Sequence, residues 1–390
     1  MLTRVENRGA FWSLLTTRGV YALNWYNVAS IFSIIGVEFG QGVSGLGALT
    51  SSFYLGVGLL QIPGGLFAGK FGPKVTATFG TLVMSVAVLA SAAAGQFEVL
   101  IVARFFVGVG MAFVFAPAVV LITRYFRSGA EGVALGLYNS AFDVGGAVGL
   151  FGWVIVATTI GWRLSLAASG IMGLLTAALL FFLVPRENVT ARFSVGAGVL
   201  SRVLLDRTLI LLGVVSTGIG VGSILISSFV VYYLITALGV APATAGGIGA
   251  LVFVVPIVSS PIGGRVYDRR VGFRSICVIA GVATAAATVL AGFGGIYGPL
   301  IAALVGGFTS GLGFTMVLAA ARERIPAGPE YRTLSVSWVN SIALTSSFLP
   351  PIIFSFIANA FGYTPAWVGG GILCLLLISP IVFIRQPSAA

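Results

Sequence analysis

The sequence predicts an all-α membrane protein, a bundle of twelve transmembrane helices in two similar halves of six. Three observations carry this. Apolar runs of about 20 residues recur from end to end, and each is long enough to cross a hydrocarbon core about 30 Å thick. Of the 390 residues 58% are hydrophobic and only 8% charged, with a mean hydropathy of +1.08, far too little polar surface for a water-soluble chain of this length. Short sequence blocks also recur about 200 residues apart, in the same order. Strands of a membrane barrel would be about 10 residues long with alternating polarity. These runs are twice that length and do not alternate, so a barrel is excluded.

The first six runs are Thr17–Val37, Leu46–Ala68, Val75–Ala94, Val99–Ile122, Val133–Ile160 and Leu164–Val184. The second six are Thr208–Leu238, Ala245–Gly263, Ser275–Phe293, Pro299–Ala321, Leu334–Phe361 and Pro365–Ile384. The longest charged link separates them, which gives an N-terminal six-helix bundle (residues 1–185), a cytoplasmic linker (186–207) and a C-terminal six-helix bundle (208–390). PGGLFAGKFGPK after the second run is echoed by PIGGRVYDRRVGFR after the eighth. GLGALTSSF is echoed by GIGALVFVV, and Asn139-Ser140 of the fifth run by Asn340-Ser341 of the eleventh. Six-helix repeats related about an axis normal to the membrane are a transporter architecture, with the substrate site expected where the repeats meet. The 54 glycines suit membrane helices whose backbones approach closely.

A net charge of +11 invites a nucleic-acid reading, and the positions of the charges exclude it. All but Arg104 and Arg163 of the 21 Lys and Arg are assigned to the termini or to alternate loops, Arg18 among them at the very start of the first run. That is the positive-inside pattern, which puts both termini in the cytoplasm. The expected location is the cell (cytoplasmic) membrane, multi-pass, and the expected partners are a small-molecule substrate, protons and the lipid bilayer. The N-terminus is too polar for a cleaved signal peptide. Cys277 and Cys374 both lie in apolar runs and histidine is absent, so no disulfide, metal or cofactor is expected. A membrane-embedded enzyme is disfavoured on the same inventory. A metalloprotease needs histidine, and an intramembrane aspartyl protease needs two helix carboxylates where only Asp143 is available.

Asp143 stands about ten residues into the fifth run, ~15 Å along its helix from the cytoplasmic edge. A carboxylate at mid-helix costs roughly 2.5–3.5 kcal/mol on an insertion scale, and such residues mark ion and substrate paths. Desolvation disfavours the charged form of a carboxylate, which makes Asp143 the proton-coupling candidate. The alternative is a structural pin, paired with Arg104 or bonded to another helix. Helical side chains lean toward their own N-terminus. Arg104, in a helix entering from outside, then leans outward while Asp143 leans toward the cytoplasm. Apart from Asp143, Arg104 would be a free cation able to hold an anionic group.

At this point the chain resembles the major facilitator superfamily of secondary transporters, over nearly its whole length. The family's signature loop between helices 2 and 3 is matched by Gly65, Lys70, Gly72 and Lys74, with Gly69 where the family has an acid. The second copy keeps its acid in Gly264, Asp268, Arg269, Arg270 and Gly272. The resemblance implies that these loops gate the cytoplasmic side. Arg104 followed by Gly108 and Gly110 looks like the family's helix-4 motif, whose Arg is often tied to proton coupling. Gly145-Gly146 matches the glycine pair of the drug antiporters' helix-5 motif, without its proline. The family lines its cavity with helices 1, 4, 7 and 10. That makes Asn24, Tyr26, Asn27, Ser216, Thr217, Ser223, Tyr232, Tyr233, Thr309 and Ser310 substrate-binding candidates beside Arg104, and Asn340 is added from the repeat. Asn24 and Asn27 share a helix face, where they serve either a polar ligand or interhelical hydrogen bonds. The resemblance implies a monomer working by alternating access. The function expected first is proton-linked movement of a small organic anion such as a monocarboxylate. The rival is a proton-coupled multidrug or lipophilic-cation exporter, and a sugar carrier ranks third.

Overall fold

The computed structural model describes residues 7–125, 131–185, 197–269, 272–324 and 329–384. Among them there are twelve helical stretches long and apolar enough to cross a membrane. These spans are Arg8–Phe39, Val43–Phe71, Pro73–Ala92, Phe97–Arg124, Val133–Ile160 and Trp162–Leu183, then Arg207–Thr236, Pro242–Asp268, Phe273–Leu290, Tyr297–Arg324, Leu334–Phe361 and Tyr363–Phe383. No strand occurs among the described residues. A short helix, Ala197–Leu204, precedes the seventh span, and Asp206 caps that span by accepting from Leu209 N at 3.0 Å.

Where the spans break, proline gives the reason. The eleventh breaks after Ser346 and restarts at Leu349, immediately before Pro350 and Pro351, as a helix must where two residues lack the N–H donor. The fourth divides between Phe97–Ala112 and Phe115–Arg124, four residues before the ring of Pro117. The eighth divides at Val255, followed by Pro256.

The first span begins nine residues earlier than its hydropathy predicts. Ala10, Phe11 and Leu14 lie on one helical face and are buried against Leu121, Ile122, Tyr138 and Leu180. That packing continues the helix through a polar stretch and sets Arg18 ten residues into the span, not at its edge. The positive-inside assignment of Arg18 is thereby corrected: it is 7% exposed.

Two compact units form. Met1–Ile35 with Ser52–Ser194 make one, and Gly36–Ser51 with Val195–Ala390 the other, each counted over its described residues. In the first unit glycine lets backbones touch. A side chain at Gly108 would strike Phe53 O, Val57 N and Gly56 Cα of the second span, and one at Gly110 would strike Met84 and Gly80 of the third. The core there is aromatic, with Trp25 edge-on to Phe53 at 4.7 Å and to Tyr54 at 5.8 Å. In the second unit Phe354 sits between Phe229 at 4.5 Å and Trp367 at 4.6 Å. Large apolar side chains such as Phe182, Phe356 and Leu376 are turned outward, the surface that hydrocarbon requires and water would penalise.

Candidate functional site

The chemistry of the first unit is concentrated on one face of the first span. Asn24 and Asn27, one turn apart, meet Arg104 from the fourth span and Ser169 from the sixth. Arg104 donates from Nη1 to Asn24 O (3.2 Å) and Asn27 Oδ1 (3.1 Å), and from Nη2 to Trp25 O (3.1 Å). Its guanidinium also lies 4.6 Å from the centre of the Phe53 ring. Asn27 Nδ2 donates to Ser169 Oγ and Asn24 Oδ1, and Asn24 Nδ2 to Val20 O and Ser169 O. Ser169 Oγ closes the circuit onto Asn24 Oδ1 at 2.7 Å. Arg104 is 3% exposed, and Asn24 and Asn27 at most 1%. The Arg104 guanidinium is therefore not a free cation: its Nη atoms tie the fourth span to the first, and Asn24 and Asn27 carry the network on to Ser169 of the sixth.

Two turns toward the N-terminus, about 9 Å along the same helix, lies Arg18. Its guanidinium carbon is 4.4 Å from the ring centre of Phe142, 4.7 Å from Tyr21, and 4.9 Å from both Phe115 and Tyr138. Four aromatic faces around one cation replace hydration with ring quadrupoles. Asp143 itself is half-buried on the fifth span, next to Phe142 of the cage. The two spans are held close by Gly145, whose Cα faces the backbone of Gly19. Tyr26 is buried on the first span, its ring 6.3 Å from that of Phe142. Arg104 thus meets the first span at Asn24 to Asn27, while the fifth span, which carries Asp143, meets it at Gly19. The residue missed from sequence is Arg18. The signal for it was the one-sided apolar pattern Ala10, Phe11, Leu14, which carries the helix back through the charge.

In the second unit the predicted hydroxyls are engaged locally. Thr217 Oγ1 donates to Gly213 O and lies 3.2 Å from Ala343 O of the eleventh span. Ser223 Oγ donates to Gly306 O of the tenth at 2.9 Å. Thr309 Oγ1 is 2.6 Å from Thr284 Oγ1, and Ser310 Oγ donates to Gly307 O of its own helix. Ser216 and Asn340 are buried in the seventh and eleventh spans. Tyr233 stacks near Tyr363 (4.9 Å) and Trp367 (5.8 Å), while Tyr232 is half-buried. A cavity of about 480 Å³ lies in this unit between the eighth, ninth and tenth spans, lined by Val255, Ile276, Leu304, Phe308 and Thr309 among others. Its walls are almost wholly apolar.

Of the predicted gating residues, Gly72 forms the whole link between the second and third spans, at φ +88°, with Pro73 starting the next helix. Lys70 lies over the Phe71 ring and Lys74 over the Phe181 ring, at 5.2 and 5.4 Å. Gly65 has open space where a Cβ would point, and at Gly264 the nearest atom is Thr315 Cγ2 at 3.8 Å. In the second copy Asp268 ends its helix, Arg269 caps it and Gly272 precedes the next. Arg270 lies outside the described residues.

The family model described as Major Facilitator Superfamily matches residues 14–231 and again 210–390. A probable sulfoacetate transporter of Cupriavidus necator is 30% identical over 148 residues, which is 38% of this chain and 34% of that protein. The chain therefore spans about a third of that relative. The nitrite extrusion protein of Bacillus subtilis is 24% identical over 350 residues, 87% of this chain and 84% of its own length. Among solved structures, a bacterial homolog of the human lysosomal transporter Spinster, inward-facing and occupied, superposes with a TM-score of 0.78 at 17% identity, over 97% of this chain and 98% of its own.

Proposed function

The chain belongs to the Major Facilitator Superfamily, and from that premise we propose that it carries a small organic anion such as a monocarboxylate across the cell membrane, linked to protons. It is a multi-pass membrane transporter and not an enzyme. The observation that supports the finer reading is that one buried cation, Arg18, and one half-buried carboxyl, Asp143, lie inside apolar spans whose backbones meet at Gly19 and Gly145. Arg18 supplies attraction for an anion, and Asp143 is the group that takes and releases the proton. Two relatives, by their names, move sulfoacetate and nitrite, both anions. The protein works as a monomer with cytoplasmic termini, exposing the site to each side in turn.

A specific observation favours a second reading. The apolar cavity beside Thr309 falls within the volume range of small-molecule sites, about 300–1,000 Å³, and its lining suits a lipophilic compound. On that reading the protein is a proton-coupled exporter of lipophilic cations. Reconstituted protein separates the two. Uptake of acetate, lactate and sulfoacetate, and of tetraphenylphosphonium, is measured with and without a pH gradient, for wild type and D143N. Gradient-driven uptake of an anion, abolished as accumulation in D143N, is the expected result. Cation movement alone moves the protein to the exporter reading.

A further inference from the structure

The cavity of the second unit is a wedge between the eighth and ninth spans, with the tenth as its floor. Val255 stands on one wall, Ile276 and Ala283 on the other, and Leu304, Phe308 and Leu312 at the base. Both walls pack on the tenth span, the eighth through Gly263, Gly307 and Gly311, the ninth through the Thr284–Thr309 hydroxyl pair. Ile279 on the rim is 66% exposed, and Val258, one turn below Val255, is 64% exposed. Both are apolar, so the wedge opens toward hydrocarbon and not toward water.

The first unit fills the matching place. There Phe67, Phe79 and Phe113, from the second, third and fourth spans, hold their ring centres 5.5 to 5.6 Å apart. Aligning Gly64-Gly65 with Gly263-Gly264, and Gly72 with Gly272, sets Val266 and Ile279 at the positions of Phe67 and Phe79. Exchange of rings for aliphatic chains leaves the second wedge open. A gap among apolar side chains forfeits dispersion contacts, so about 480 Å³ of open wedge inside a bilayer calls for an occupant.

Below the wedge the eighth span changes character along one stripe. Val258, Ile262, Arg265 and Arg269 follow at intervals of four, three and four residues, which is one face of a helix. Arg265 lies ten residues from Val255, about 15 Å along the helix, which is half of a hydrocarbon core about 30 Å thick. Both arginines are exposed, with Asp268 exposed beside them to offset one charge. Other charged groups at this end are engaged. Arg274 Nη2 donates to Ile384 O at 2.7 Å, Glu323 accepts from Tyr267 Oη at 3.0 Å, and Arg324 lies 3.5 Å from Asp206.

We propose that the wedge seats an anionic phospholipid, with one acyl chain between the eighth and ninth spans and the phosphate on Arg265 and Arg269. An apolar bed one leaflet deep, ending in a cationic rim, matches a molecule that is apolar for that length and negative at its end. A small free anion would have no use for the wedge, and a lipophilic cation would be repelled by the rim. The lipid seat stands apart from the anion-transport reading, and it gives the cavity an occupant other than an exporter's cargo.

The test is native mass spectrometry of the full-length protein in detergent, titrated with phosphatidylglycerol and phosphatidylcholine of identical chains. Wild type should bind phosphatidylglycerol more tightly. R265Q/R269Q should weaken that binding roughly 5-fold for each charge removed, the contribution of a basic residue near an anionic surface, and leave phosphatidylcholine unchanged. A283F, which puts a ring into the wedge, should weaken both lipids. K70Q, at the place of Arg269 in the filled unit, should change neither. Melting temperatures establish that each variant is folded, and if A283F is not, the exposed pair R265Q/R269Q carries the test. Equal affinity of wild type for the two lipids overturns the seat. So does phosphatidylglycerol affinity unchanged in R265Q/R269Q, or a loss in K70Q as large as in that pair. Tetraphenylphosphonium bound by wild type in place of lipid, and lost in A283F, gives the wedge to an exporter's cargo and also overturns it. Gradient-driven anion uptake by wild type is read separately, so failure of the lipid seat leaves the transport reading standing.

Discussion

Asn27 serves two buried groups at once. Its Oδ1 accepts from Arg104 Nη1 at 3.1 Å and from Val28 N at 2.8 Å, while its Nδ2 reaches Ser169. Truncation to alanine would leave a buried guanidinium short of an acceptor, and that penalty exceeds the net worth of the bond itself. N27A is expected to lower stability by about 1.5–3 kcal/mol, read as a lower melting temperature of the purified protein in detergent. S169A, which removes a hydroxyl but leaves Arg104 its three acceptors, is expected to cost less. The helical spacing shows in the sequence that Asn24 and Asn27 share a face. It does not show that the sixth span supplies Ser169 or that Arg104 lands on their carbonyls, because those partners come from helix packing over more than 70 residues of separation. Arg18 was hidden for a different reason. Hydropathy starts the span at Thr17 and so leaves Arg18 at its edge, whereas the chain starts it where Ala10, Phe11 and Leu14 find a core, which sets Arg18 deep among rings.

At the scale of the helix, the positions of breaks and close contacts were largely written in residue type. Pro350 and Pro351 mark the break in the eleventh span, and the Gly108-Val-Gly110 spacing marks a helix that others approach. What spacing left open is which glycines carry packing and which serve another purpose. Gly108 faces backbone atoms of Phe53 and Val57 that cannot swing aside. G108V is therefore expected to separate the second and fourth spans and cost at least about 1–3 kcal/mol, seen as loss of the monodisperse folded peak. Gly65, in the signature motif, has nothing within 4 Å of where its Cβ would stand. G65A is expected to leave stability within about 0.5 kcal/mol. Any transport defect in a stable G65A protein then reports a contact made in another state of the cycle. A melting temperature lowered as far as that of G108V would instead show that packing in this state governs the position.

On the scale of the whole molecule, a single physical constraint organises the chain. Every backbone group inside a bilayer must bond within its own segment, so the sequence resolves into helices joined by links as short as Gly72, Gly161 and Gly362, each at positive φ. Short links leave orientation to the charges, and basic residues gather at alternate ends: Lys70 and Lys74 beside the second link, and Arg202 and Arg207 before the seventh span. Arg163 does not break that pattern. At the opposite end of its helix it bonds Ala94 O at 3.0 Å and lies 4.2 Å from the Trp162 ring, an arrangement that terminates the third span without needing an anionic surface. The positive-inside rule then assigns Gln96 to the outside and Arg202 to the cytoplasm. Both are exposed, and the native cysteines Cys277 and Cys374 are buried, so an introduced thiol is the one that reacts. Q96C in intact cells should label with a membrane-impermeant maleimide, and R202C should label only after the membrane is opened. The reverse pattern would invert the topology, placing Asp143 nearer the outer surface and Arg163 on the cytoplasmic side.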